Sequence, residues 1–160
     1  MSPDETTPKT LSAPLYKLIR YLGLDPKTVV WLPITAESSF IPETHNCLLN
    51  AMVKQKLSGG TITFGWTLWA ARKAFFFEAE FHCVWQSDDG ALVDITPRLD
   101  GEDVICFVPD PKRTSHMDLT QRPAVTHTYE NVKIINGCVT NEVREQRIPL
   151  GKDRLLWYLK

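Results

Sequence analysis

The turn Ser87-Asp88-Asp89-Gly90 constrains this chain most. It separates two β-prone runs, Ala74 to Gln86 and Ala91 to Thr96. A three-residue hairpin loop sets a type I turn ahead of a left-handed residue, and glycine takes that conformation without strain. With Gly90 in that slot the loop is Asp88, Asp89 and Gly90, so Ser87 pairs with Ala91 and Val84 with Asp94. Paired residues point to one side of a sheet, and side chains alternate along a strand. Asp94 therefore shares a face with Val84 and with His82. His82 and Asp94 become diagonal neighbours, about 7–8 Å apart along the backbone, a gap that long side chains bridge. A loop one residue shorter or longer would send Asp94 to the opposite face.

The run into the turn alternates. Phe75, Phe77, Ala79, Phe81, Cys83 and Trp85 hold its apolar positions, and Glu78, Glu80, His82 and Gln86 fall between them. The expectation is that His82 lies on the more polar face, with Glu78 and Glu80 as solvated neighbours. Thr61 to Trp69 alternates too, with Ile62, Phe64, Trp66 and Leu68 on one side, and Ala70 to Lys73 turns the chain between the two strands. Asp103 to Val108 reads as a further strand, stopped by Pro109. Pro109 to Thr126 reads as an irregular polar surface segment, and Tyr129 to Ile135 as another strand.

Upstream, Leu48, Leu49, Met52, Val53 and Leu57 form a helical stripe closed by Gly59. Thr44 or Asn46 can cap its start, and either choice puts Cys47 in the first turn. A thiol there meets the positive end of the helix dipole, which favours the thiolate. A second helix spans Leu11 to Leu22, ended by Gly23. Thr28 to Leu32 is a short strand before Pro33, and Arg154 to Lys160 packs back on the domain.

Composition excludes several classes. A formal net charge of −1 with mixed signs offers no basic field for nucleic acid and no polybasic run for a membrane surface. No apolar run has the length of a membrane span. At 160 residues and 43% hydrophobic, the chain can bury a core without a metal or disulfide scaffold. Residues 1–10 are polar and lack the charged start and apolar middle of a secretion signal. They read as a flexible tail on a cytoplasmic protein, with residues 11–160 as a single domain. Cys47, Cys83, Cys106 and Cys138 show no paired spacing, so free thiols are expected, with Cys83 and Cys106 as small buried residues.

Cys47, His82 and Asp94 thus occur in the order nucleophile, base, orienter. The imidazole accepts the thiol proton, the carboxylate fixes its tautomer, and first-turn amides, notably that of Cys47, can hold an oxyanion. A helix beginning near a Cys, then Phe81-His82-Cys83-Val84-Trp85, then Gly90-Ala91-Leu92-Val93-Asp94-Ile95-Thr96-Pro97, resembles the papain-like superfamily. Within it the transglutaminase-like core is most similar. The resemblance covers roughly Thr44 to Pro97. It implies an α+β fold in which the Cys47 helix packs on a mostly antiparallel sheet. It also implies catalytic roles for Cys47, His82 and Asp94, and a protein, peptide or other amide substrate attacked through a thioester. Where the family has aromatic or glycine-rich sequence before its Cys, this chain has Glu43-Thr44-His45-Asn46, so the oxyanion side chain is not assigned. The indole N–H of Trp66 is one candidate.

No cofactor is expected. Two other readings stay open: a binding domain of the same fold in which His82 and Asp94 are sheet hydrogen-bond partners, and a zinc site drawing on His45, Cys47, His82 and Cys83.

Overall fold

The computed structural model describes residues 5–71 and 75–160. The fold is α+β. In chain order the elements are β1 (Glu5–Thr6), α1 (Ala13–Tyr21), β2 (Val30–Pro33), α2 (Cys47–Ser58), β3 (Thr61–Ala71), β4 (Phe76–Gln86), β5 (Leu92–Val93) and β6 (Val104–Pro109). Then follow β7 (His116–Asp118), β8 (Val125–Tyr129), β9 (Val132–Ile135), β10 (Cys138–Val139), β11 (Glu145–Pro149) and a closing 3-10 helix, Arg154–Leu159.

α1 starts after Ser12 with a proline in its first turn, where a missing N–H costs nothing. It buries Leu15, Leu18 and Ile19 against Trp66, Leu68, Ala79 and Phe81 of β3 and β4. Each such side chain contributes about 1.5–3 kcal/mol by leaving water. α2 buries Leu48, Leu49, Ala51 and Val53, while Leu57, expected on the apolar stripe, is exposed. Leu155 of the closing helix packs in one cluster with Leu49 and Val53, as expected of a tail that returns to the domain.

The main sheet runs β10-β9-β4-β3-β6-β2, with β1 added to β3 and β5 to β4. All its ladders are antiparallel. A parallel bridge from Ile34 to Asp94, with the Thr35 N–H donating to the Asp94 carbonyl at 2.7 Å, joins the end of β2 to the end of β5. Strands β4, β3, β6, β2 and β5 therefore close into a ring. Val84, Ile105 and Phe107, with Val30, Leu32, Ile34 and Leu92, fill its interior. Gly65 is required there: a Cβ on it would lie 2.3 Å from the Val108 carbonyl and 2.6 Å from the Phe107 ring.

On its other side β4 pairs with β9 only over Phe76 to Ala79 and with β5 only at Trp85 and Gln86. Among the described residues, no strand lies beside Glu80 to Val84 on that edge. The N-terminus of α2 occupies this gap, and it is the reason the site lies where it does.

A second, three-stranded sheet runs β11-β8-β7. It draws on the stretch expected to be irregular, within which His116–Asp118 and the start of Val125–Tyr129 are strands. The strand expected over Tyr129 to Ile135 is broken, because β8 ends in one sheet and β9 begins in the other. The expected tail also needs correction from Glu5 onward. Glu5 and Thr6 pair with Ala71 and Ala70, the Thr7 hydroxyl donates to the Val104 carbonyl at 2.6 Å, and the Pro8 carbonyl accepts from the Trp31 indole at 2.8 Å. The first four residues of that expected tail, with Arg72, Lys73 and Ala74 of the expected turn and strand start, lie outside the described residues.

Candidate active site

The hairpin has the register that its turn predicts. Gln86 pairs with Leu92 and Trp85 with Val93, the Ser87 N–H donates to the Ala91 carbonyl at 2.9 Å, and Gly90 has φ +89°. His82 and Asp94 then meet: His82 Nε2 lies 3.0 Å from Asp94 Oδ2. Both side chains are nearly out of water, at 4% and 1% exposure.

The face they share is not the solvated one expected. It is the interior of the ring at its open end, where the edge of the His82 ring faces Phe107 with centroids 6.3 Å apart. Glu78 is also buried and accepts a hydrogen bond from the Asn131 amide; only Glu80 is partly exposed.

Asp94 is held from its other side. Its Oδ1 accepts the Thr96 N–H at 3.0 Å, and the Thr96 hydroxyl lies 3.1 Å from Asn50 Nδ2. Asn50, fully buried on α2, also exchanges bonds with the Glu43 backbone, accepting its N–H at 2.9 Å and donating to its carbonyl at 2.8 Å. One amide thus ties the segment before Cys47, the helix that carries Cys47, and the strand end that carries Asp94. Sequence reading missed Asn50. Its signal was a polar residue one turn after Cys47, inside the helix's buried stripe.

Cys47 is the first residue of α2 and partly buried. Its side chain packs against the cluster that holds Cys83, and the His82 ring and the thiol and backbone N–H of Cys83 are near enough to act on its ionisation. With Nε2 turned to Asp94, the ring nitrogen left for Cys47 is Nδ1. The Cys83 thiol hydrogen bond, the His82 charge and the Cys83 N–H outweigh burial and hold the Cys47 thiol well below its ordinary range. Burial alone would pull His82 down, but the Asp94 carboxylate and the Cys47 sulfur outweigh it and hold the imidazole well above its ordinary range. Both directions favour the thiolate–imidazolium pair at neutral pH.

Asn46 occupies the N-cap position but caps nothing. Its amide nitrogen donates instead to Asp153 at 2.6 Å and to Glu43 at 3.5 Å. The first-turn amides of α2 are therefore not taken up by that side chain, which leaves the donors an oxyanion hole would draw on. Trp66 is not available for that role: it is fully buried and its indole donates to Asp110 Oδ2 at 2.9 Å.

A cavity of about 660 Å³ opens on these groups. Asn46, Cys47 and His82 line it together with Ser115, Thr128 and Gln146 of the second sheet region. That size admits a side chain or short peptide segment. His45 also lines it, with a left-handed backbone at φ 59°. Among the described residues no three His, Cys, Asp or Glu side chains converge so as to hold a metal ion, so His45, Cys47, His82 and Cys83 do not form the mixed site considered above. Among the same residues no helix is long and apolar enough to cross a membrane. No family model matches the chain, and neither a curated protein nor a solved structure matches it.

Proposed function

We propose that the chain is a cysteine hydrolase or acyltransferase of papain-like type, nearest a transglutaminase-like core, acting on an amide or thioester carbonyl. One observation carries the reading. Cys47 opens an uncapped helix beside the buried His82–Asp94 pair, and Cys47 and His82 line one cavity.

The Cys47 thiolate attacks the substrate carbonyl, and the oxyanion is received by first-turn N–H groups, that of Cys47 among them. The His82 imidazolium gives its Nδ1 proton to the leaving amine or thiolate as the C–N or C–S bond breaks, leaving a thioester on Cys47 and a neutral imidazole. That imidazole then takes a proton from the incoming water or amine, which attacks the thioester carbonyl. Cys47 departs as thiolate, and the ion pair is restored. Asp94 keeps Nε2 protonated, so that Nδ1 does the exchange. Water as acceptor gives hydrolysis or glutamine deamidation; an amine gives acyl transfer. The hydrogen-bonding groups of Ser115, Thr128 and Gln146, set beside Tyr129, Ile148 and Leu150, fit a protein, peptide or other amide substrate. Four free thiols fit a reducing compartment such as the cytoplasm.

The test is competitive alkylation with limiting iodoacetamide at pH 5 to 6, read by peptide mass spectrometry. Cys47 should react at least about tenfold faster than exposed Cys138, as a low-pKa thiolate does. A p-nitrophenyl ester should leave an acyl group on Cys47 that hydrolyses in wild type and persists in His82→Ala. Equal labelling of Cys47 and Cys138 would remove the reading and leave a binding domain of the same fold.

A further inference from the structure

Cys83 has no part in the proposed chemistry, yet it directly follows His82 and touches the nucleophile. Neighbouring residues on a strand point to opposite faces. His82 faces into the ring, and Cys83 faces the cluster of Leu48 and Ala51 on α2, against which Cys47 also packs. Cys47 opens α2 beside this edge, lining one cavity with His82 and packing against the cluster that holds Cys83. The start of α2 lies in the gap beside this part of β4, and the two cysteines share one small packing cluster. The sheet clamps one partner and the helix start the other. Of the remaining thiols, Cys106 belongs to a different core cluster and Cys138 is exposed.

We infer that Cys47 and Cys83 form a reversible disulfide when the protein meets a hydroperoxide, a modification that closes the site and spares the nucleophile from irreversible oxidation. The inference rests on Cys47 being the reactive thiol of the proposed function. In the first step the Cys47 thiolate attacks the distal peroxide oxygen. The O–O bond breaks, sulfur is oxidised to the sulfenic acid, and the leaving alkoxide or hydroxide takes the proton of the His82 imidazolium. In the second step the Cys83 sulfur attacks the sulfenic sulfur. The S–S bond forms, the S–O bond breaks, and hydroxide leaves with the Cys83 proton as water. One hydroperoxide is reduced to alcohol or water, and two thiols are oxidised.

The Cys83 thiol is held well above its ordinary range by its hydrogen bond to Cys47 and by burial. It therefore stays protonated and is not itself the first target. Nor does it compete for substrate.

The experiment treats the full chain with a few equivalents of hydrogen peroxide, enough for the two successive oxidations a sulfinic acid requires, blocks remaining thiols, digests without reductant and reads the peptides by mass spectrometry. The expected result is a cross-linked pair containing Cys47 and Cys83. Iodoacetamide labelling of Cys47 should then fall about tenfold or more and return with dithiothreitol, as a disulfide permits and a sulfinic acid does not. Under the same dose Cys83→Ser should carry Cys47 on to sulfinic acid. Two results in wild type would overturn the inference: sulfinic acid on a Cys47 that labels selectively before oxidation, or a disulfide through Cys106 or Cys138. Either leaves the proposed function standing. A Cys47 inert to both peroxide and iodoacetamide would overturn both.

Discussion

Asp94 uses both carboxylate oxygens inside the protein, one on His82 and one on the Thr96 N–H. Asp94→Asn keeps the shape and loses the charge that holds His82 protonated. We expect the pH profile of Cys47 alkylation to move up by about one unit or more, so that the rate at pH 6 drops about tenfold, as one pKa unit corresponds to 1.36 kcal/mol. Asn50→Ala leaves the Glu43 backbone and Thr96 without their partner. It should cost about 2–3 kcal/mol in a urea titration, since buried groups lose their hydrogen bonds without gaining water, and it should also slow Cys47 labelling by loosening Asp94. The contact between His82 and Asp94 could be read from the sequence, because a glycine-specified turn sets register and register sets faces. Asn50 could not be read in the same way. A polar residue in a helix is solvated by default, and only the partners folded onto it show that this one is buried.

Among elements, β4 carries most of the design. Its alternation predicts a strand with one apolar and one polar face, but the structure makes the second face a ring interior over His82 and Val84. Alternation reports which residues share a side; it does not report whether that side is later enclosed. The bridge between Ile34 and Asp94 that closes the ring joins segments far apart in sequence and leaves no local signature. Gly65 offers a test of the closed ring. Gly65→Ala places a methyl 2.3 Å from a backbone oxygen, which rigid main chain cannot yield. The expected loss is about 3 kcal/mol or more, read by thermal or urea unfolding, the range reached when a core is overpacked against a backbone. A sheet open at that position would absorb the methyl with little cost.

Across the whole molecule, the thiolate–imidazolium pair shapes how stability responds to pH. His82 is raised from an ordinary 6.5, so alone it would stabilise fully below 6.5 and progressively less above. Cys47 is lowered from an ordinary 9.0, so alone it would stabilise fully above 9.0 and progressively less below. Between the two values the unfolded chain keeps the proton on sulfur and the folded chain keeps it on nitrogen. The proton count is equal, and the pair's contribution is flat. The urea midpoint of wild type, less that of the Cys47→Ala/His82→Ala double variant, should thus hold level across neutral pH, from about pH 7 to 8.

The α+β class and the antiparallel sheet were legible in the alternation of Thr61 to Val108. The second sheet was not, since His116–Asp118 and its partners are short, polar and interrupted by proline. The five residues of β4 that no strand covers, among those described, carry a further consequence. An unpaired strand edge is a template for another chain, and proteins guard such edges. Here the guard is the reactive helix start itself, fastened by Asn50 and Asn46. If those fastenings give way before the sheet melts, the same gap that admits the nucleophile becomes a site of chain-to-chain pairing. Asn50→Ala should therefore precipitate on mild heating from a still largely β-structured state, visible as light scattering that rises before the far-ultraviolet β signal is lost.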